Sequence, residues 1–296
     1  MDNYVIFADS TCDLGKDVRE KYGIEYVAMN YVIGETEYRA SLDWENHSAK
    51  EFYDIMRNGT RIRTTQVAAD SYRKDFGKFL EQGMDIVYVA CSSAMSGSVN
   101  VAKVVADELK KQYPERNIYC IDSLTSSLGQ GSLAIRAAQL KSEGKSAAET
   151  AKYIIDNRLK YNQFATVGTL SYLKRAGRVT ASSAFFGDLF GVRPILISDT
   201  LGQNYAIKKV KGSLNAKREI AALLEAAVEN PEEQTLFISH SDVLNEAEQL
   251  RDEILKRVKF KDCYINYITT ITGASVGPGA IIANCVGKEV TIEGRD

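Results

Sequence analysis

The sequence predicts an α/β protein of two domains, and three observations carry that expectation. The first is the run Ile86-Val87-Tyr88-Val89-Ala90, uninterrupted and rich in strand formers, the pattern of a parallel strand buried on both faces. The second is the abrupt change after that run to Ser92-Ser93-Ala94-Met95-Ser96-Gly97-Ser98, then to Val101, Val104, Val105 and Leu109 at helical spacing. This order of strand, hydroxyl loop and helix recurs in the first half, the signature of a parallel sheet with helices on its faces. The third is length, because 296 residues reach the limit of about 250–300 at which a single core stops growing. Residues 1–160 are expected to form an N-terminal α/β domain with mainly parallel strands, and residues 161–296 a second α/β domain.

Taken in order, Tyr4 to Ala8 opens as a strand, and Asp9-Ser10-Thr11-Cys12-Asp13-Leu14 turns into a helix that ends near Tyr22-Gly23. Ile24 to Ile33 is β-rich, and Gly34-Glu35 can fold it back onto Thr36-Glu37-Tyr38 as a hairpin. Ser48 and Glu51 have capping-box spacing at the start of a helix that Asn58-Gly59 stops. Arg63-Thr64-Thr65-Gln66 then forms a second polar cluster, read as a connection between helices. After the central unit come the strand Asn117 to Ile121, a third hydroxyl loop from Asp122 to Ser127, and a helix through Glu143. Ser146 and Glu149 start a further capped helix.

The second half begins with the strand Phe164 to Val167 and the basic segment Leu173-Lys174-Arg175-Ala176-Gly177-Arg178. Phe185, Phe186, Leu189 and Phe190 fall at helix-like spacing, suited to core packing or to the wall of an apolar cavity. Ile195 to Ile197 and Tyr205 to Val210 read as a hairpin around Gly202, and Asn215 to Val228 as an amphipathic helix. A strand to His240, a helix from Glu246 to Val258, a strand from Cys263 and a break at Gly277-Pro278-Gly279 complete the chain.

Composition narrows the function. The formal net charge of -2 gives no electrostatic support to nucleic-acid binding. Five cysteines without a C-x-x-C pair read as reduced core residues of a cytoplasmic protein. Met1-Asp2-Asn3 has no basic leader region, and no apolar run approaches the roughly 18 residues of a membrane span.

Catalytic motifs are scarce. There is no G-x-x-x-x-G-K-[ST] loop, no G-x-G-x-x-G after a strand and no G-x-S-x-G elbow. His47 and His240 lack metal-ligand spacing, so no metal is expected. His240-Ser241-Asp242 at a strand end offers a base and an orienter for Ser96, which keeps a serine hydrolase or acyltransferase open as the alternative. Asp9 and Asp13 flank a helix start and read as caps, not as an acid/base pair. The loop around Ser96 sits where open α/β sheets bind ligands and where helix dipoles favour anions, although Ser96 or Ser98 can also serve as a helix cap.

Five segments in order, Asp9 to Leu14, Thr64-Thr65-Gln66, Ser92 to Ser98, Leu173 to Arg178 and Gly277-Pro278-Gly279-Ala280, resemble the signature segments of the DegV family across nearly the whole chain. The resemblance implies two α/β domains with a long-chain fatty acid in a tunnel between them, the second domain covering the acyl chain. It implies a carrier and not an enzyme: the fatty-acid-binding subunit of a bacterial fatty acid kinase. Such a subunit needs no cofactor, presents the carboxylate to a separate ATP-using partner on the way to phospholipid synthesis, and makes transient contact with a membrane surface. Carried over by motif, the carboxylate-binding hydroxyls are Thr64, Thr65 and Ser96, and the arginine that docks the kinase is Arg178. Lys211, by a looser match, and Ser275 are implied as ligand-side or partner contacts. The family's proline after its Thr-Ser-Gln segment is here Val67, and its histidine shortly before Gly-Pro-Gly is here Ser275.

Overall fold

The computed structural model describes residues 3–181 and 191–294, so the Phe185–Phe190 stripe lies outside the described residues. β1 (Tyr4–Asp9) leads through a buried turn to α1 (Lys16–Tyr22) and β2 (Ile24–Val27), and β3 (Asn30–Ile33) and β4 (Thr36–Arg39) form the expected hairpin around Gly34-Glu35. Ser48 and Glu51 close a capping box on α2 (Ala49–Arg57). The Arg63–Gln66 cluster departs from the expected helix connection: Ile62–Thr65 is strand β5, paired antiparallel with β3 at Asn30↔Thr65 and Tyr31↔Thr64. Next come α3 (Ala69–Leu80), β6 (Asp85–Ala90), α4 (Ser98–Gln112), β7 (Ile118–Asp122), α5 (Ser127–Ser142) and α6 (Ala147–Asn157), the last behind the Ser146–Glu149 capping box. The remaining chain supplies β8 (Tyr161–Thr166), α7 (Ser171–Ala176), β9 (Val192–Ser198), β10 (Asn204–Lys211), α8 (Ser213–Ala227), β11 (Thr235–His240), α9 (Leu244–Leu255), β12 (Asp262–Tyr267), α10 (Thr270–Val276) and β13 (Ile281–Val286).

The first sheet has the order β2-β1-β6-β7 with every pair parallel. Its pleat sorts residues between two cores. Val5 and Phe7 of β1 and Ile86 and Tyr88 of β6 join Tyr72 and Phe76 of α3 on one face, while Ile6 and Val87 join Leu133 and Ala137 of α5 on the other. The six-stranded second sheet, β10-β9-β8-β13-β11-β12, is antiparallel except for its last pair. Phe164, Ile195 and Ile281 face α8 and α9, whereas Ala165, Leu196 and Ile282 face the other way, toward α7 and the end of α10. α10 crosses back to the first sheet's side, where Ile271 and Ala274 complete a core with Tyr53 and Phe52 of α2.

Asp9 and Asp13 are not the helix caps they were expected to be. α1 starts at Lys16 with Gly15 as its cap, and both carboxylates are fully buried. Asp13 joins the two sheet systems: it accepts hydrogen bonds from the Thr269 N–H (2.8 Å) and Oγ1 (2.6 Å) and from Ser127 Oγ (2.5 Å), which lies 2.8 Å from Ser239 Oγ. Burial outweighs these donors and pushes the Asp13 carboxyl up to about 6 from the ordinary 3.8. The folded protein therefore holds this proton more tightly than the unfolded chain does. The resulting stability is fully present below about pH 3.8 and is lost as pH rises to about 6, a change worth roughly 3 kcal/mol. Asp13→Asn mimics the protonated acid at every pH. In urea denaturation at pH 4 and pH 7, the variant's stability relative to wild type should improve by about 2–3 kcal/mol at the higher pH. A difference that is the same at both would contradict this account of Asp13.

Candidate functional site

Between the hydroxyl loops of the parallel sheet and the inner face of the second sheet lies a cavity of about 170 Å³, more than ten times the ~10–15 Å³ that one water needs. The second sheet presents Ala165, Leu196 and Ile282 from three adjacent strands, in register at Ala165↔Leu196 and Ile282↔Ala165. Leu173 of α7 and Ile271 and Val276 of α10 extend the apolar wall, and Met29 and Met95 approach from the first domain. Methionine's unbranched, polarisable side chain suits such a wall because it adapts to the shape of its occupant.

The polar lining comes from separate segments of chain. Thr64 and Thr65 arrive on β5, Ser96 on the loop before α4, and Ser275 on α10. Ser96 Oγ lies 2.9 Å from Ser98 Oγ and accepts the Ser98 N–H at 3.3 Å, so this hydroxyl both steadies the helix start and lines the cavity. Ser98, fully buried, accepts the Val67 N–H at 3.1 Å and thereby locks the Thr64–Gln66 segment to the serine loop. Gly97 leaves room for the Gln66 side chain, whose Oε1 would lie 2.2 Å from a Cβ at that position.

Arg178 also lines this cavity while remaining exposed at its edge. Gly177 ends α7 in a left-handed conformation (φ 67°) and turns the chain back. The Arg178 guanidinium then reaches the serine loop, donating from Nε to the Met95 carbonyl at 2.6 Å and from Nη1 to the Ala176 carbonyl at 2.6 Å. Lys211 is not brought in: it stands exposed at the end of β10, outside the cavity lining, and its carbonyl accepts from Asn215 Nδ2.

His240 is likewise elsewhere. It is buried outside the cavity lining, its Nδ1 accepts the Val243 N–H at 3.3 Å, and its ring centroid is 4.4 Å from that of Tyr267. Burial pulls its pKa down to about 4, so the ring is neutral at pH 7. Cys91 does line the cavity, yet burial pushes its thiol well above the usual range and keeps it a poor nucleophile. Among the described residues no cluster of histidine, cysteine and carboxylate side chains fits a metal ion, and no helix is long and apolar enough to cross a membrane.

Thr11, Gln66, Ser126, Gln163, Asn204 and Thr272 also line the cavity, and the sequence alone does not single them out. Thr11 and Ser126 stand in hydroxyl loops that the sequence does display, and Gln163 is a polar residue on the buried strand β8, a signal that burial makes meaningful. Thr272 Oγ1 is buried without a hydrogen-bond partner among the described residues.

These features define a class: an α/β protein with a cavity between its sheets in which an apolar wall faces a lining of hydroxyl, amide and guanidinium groups. The chain belongs to the DegV family, whose description as an uncharacterised protein family matches residues 3–285. It is 35% identical over 281 residues to a DegV domain-containing protein of Clostridium perfringens, covering 95% of this chain and 96% of that one. Its fold is similar to that of a DegV family protein from Thermus thermophilus described by its fatty acid binding (TM-score 0.86, 25% identity, 97% of this chain and 100% of that one). It is also similar to a stearic acid-binding protein from Eubacterium ventriosum (TM-score 0.85, 24% identity, 96% and 98% covered).

Ser98→Ala leaves the Val67 N–H buried without its acceptor, which should cost about 1–3 kcal/mol in chemical denaturation. A loss below about 0.5 kcal/mol would show that another group takes that N–H.

Proposed function

We propose that this protein binds a long-chain fatty acid, with the acyl chain against Ala165, Leu196, Ile282 and the neighbouring apolar wall and the carboxylate at Thr64, Thr65 and Ser96. The observation that carries the reading is the division of one cavity into an apolar wall and a polar lining supplied by several separate segments. Each CH₂ removed from water contributes about 0.8 kcal/mol, so a buried chain is the main source of affinity. A carboxylate taken out of water must be hydrogen-bonded, and hydroxyl donors provide that without a metal. Arg178, in the same lining, supplies a positive charge that Lys211 does not.

The fatty acid binding described for the solved relatives supports this ligand. The chain is, in this reading, a carrier. A separate kinase transfers the terminal phosphoryl group of ATP to a carboxylate oxygen, releasing ADP and leaving an acyl phosphate. The lack of a nucleotide phosphate loop in the sequence favours assigning that chemistry to a partner. The serine hydrolase alternative loses its base, because His240 is outside the cavity lining and committed to Val243.

Mass spectrometry of the organic extract of denatured protein should find a fatty acid in stoichiometric amount. An empty extract, together with esterase turnover abolished in Ser96→Ala, would overturn the carrier reading. Hydrogen bonds to a charged group contribute about 1.5–3 kcal/mol each, so Ser96→Ala should bind fatty acid roughly ten- to a hundredfold more weakly while retaining binding through the chain. Displacement of a fluorescent fatty acid measures this, and equal affinities would reduce Ser96 to a helix cap.

A further inference from the structure

Beside the ligand cavity lies a second cleft of about 250 Å³ that shares Thr64, Arg178 and Ser275 with it. Arg61 and Arg63 enter it from the strand β5 and the residue before it, and Arg175 and Arg178 from α7 and the turn after it. The β5 segment of the three-stranded sheet β4-β3-β5 and the α7 segment thus each contribute two guanidinium groups to one cleft. No aspartate or glutamate lines it among the described residues.

Several arginines elsewhere are paired with carboxylates. Arg57, nearby on α2, is held by Asp54 and Asp242; Arg19 pairs with Asp43, Arg73 with Glu108 and Arg136 with Glu143. None of the four cleft arginines forms an ion pair with a carboxylate among the described residues. Arg175 is oriented by stacking 5.0 Å over the Tyr172 ring, and two of Arg178's nitrogens are spent on carbonyls. Four like charges brought together without counter-charge repel one another, and a multivalent anion relieves that repulsion. Guanidinium groups match phosphate oxygens in bidentate fashion, and a phosphate group carries about -1.5 to -2 charge near pH 7, more than a carboxylate can offer.

We propose that this cleft is a phosphate-binding site, and that the occupant it fits is the phosphorylated head of an amphiphile whose tail lies in the apolar cavity. The assignment of the tail rests on the fatty-acid reading above. Thr64 and Ser275 border both spaces, so a phosphoryl group joined to a carboxylate at Thr64 passes directly into the arginine cleft. The site would then distinguish a phosphorylated ligand from the free acid, holding the former by its head and the latter mainly by its chain.

The test compares undecyl phosphate with dodecanoate at pH 8, both of which carry an undecyl chain, so the head is the only difference. Displacement of a fluorescent fatty acid should show undecyl phosphate binding at least about tenfold more tightly. R61Q/R63Q/R175Q should lose that preference while its dodecanoate affinity falls no more than about threefold, because none of the three lines the acyl cavity and exposed charges are screened by salt. R61Q/R63Q, which spares the Tyr172 stack, serves if the triple variant does not fold. Inorganic phosphate is titrated against the dodecanoate-loaded protein as a third arm. If it alone binds, and the variant abolishes that binding, the phosphate site stands and the amphiphile assignment is overturned. Equal affinity for the two heads with no inorganic phosphate binding, or a preference that survives the substitutions, overturns the site itself. Failure of both amphiphiles to bind would refute the fatty-acid reading instead, leaving the inorganic phosphate arm to judge the cleft.

Discussion

Asp9 and Asp13 lie at and just beyond the carboxyl end of the first strand, fully buried, and a carboxylate in that position is tolerated only if hydrogen bonds replace its lost water. Asp9 accepts from the Thr11 N–H and hydroxyl, from Tyr88 OH at 2.9 Å and from the Cys91 N–H at 2.9 Å, which ties the β1 loop to the end of β6. The contacts continue past it. Tyr72 OH lies 3.0 Å from Tyr88 OH and donates to the Ser98 carbonyl at 3.0 Å, while Ser98 Oγ holds both Ser96 and Val67. Burial keeps both tyrosine hydroxyls protonated and available as donors. One connected set of polar groups therefore runs from the floor of the parallel sheet to the hydroxyls of the candidate site. Asp13 performs the complementary task toward the second sheet system, through Thr269, Ser127 and Ser239.

This arrangement explains how so many polar groups sit near an apolar cavity without collapsing it. The pleat of the second sheet sends Phe164, Ile195 and Ile281 to its own helices and leaves Ala165, Leu196 and Ile282 to form the wall. Several of the polar side chains are held by protein partners: Ser96 Oγ lies 2.9 Å from Ser98 Oγ, and Asn204 Nδ2 donates to the Arg178 carbonyl at 3.0 Å. Gly202, at the β9–β10 turn, fits the same logic: a Cβ there would meet Ser92 Oγ at 2.2 Å, so the second sheet's hairpin can rest directly on the serine loop.

The parallel sheet is legible in the sequence because β1 and β6 are buried on both faces, and a strand of that kind must be apolar without interruption. Both capping boxes are legible because their bonds are local, three residues apart. β5 is not, since four residues are too short to show a period and its partner β3 lies about thirty residues away in the chain. The pairing of β13 between β8 and β11 is equally hidden, because its pairing with β8 depends on contacts across more than a hundred residues. In the site, Thr64, Thr65 and Ser96 stand in recognisable segments and do share a cavity. Gln163, Asn204 and Thr272 do not announce themselves, since whether a polar residue faces a cavity is decided by the register of its strand or the turn of its helix. Arg178 is recognisable as a residue, yet its direction is set by the left-handed turn at Gly177, which the basic segment alone does not reveal.

Val67 shows how a position that the resemblance would fill with proline is held in this chain. Proline after the Thr-Ser-Gln segment restricts the backbone of both itself and the residue before it, but it has no N–H to donate. Valine gives up that restriction and regains the donor, which this chain uses: the Val67 N–H meets the buried Ser98 hydroxyl. Val67 itself is fully buried in the core with Tyr72 and Val99, so packing fixes its side chain while the hydrogen bond fixes its backbone. The constraint here is a contact between two segments and not a covalent ring. That contact reaches the serine loop, so in this chain the position of Thr64 and Thr65 is tied to the position of Ser96 by a bond that a proline could not form.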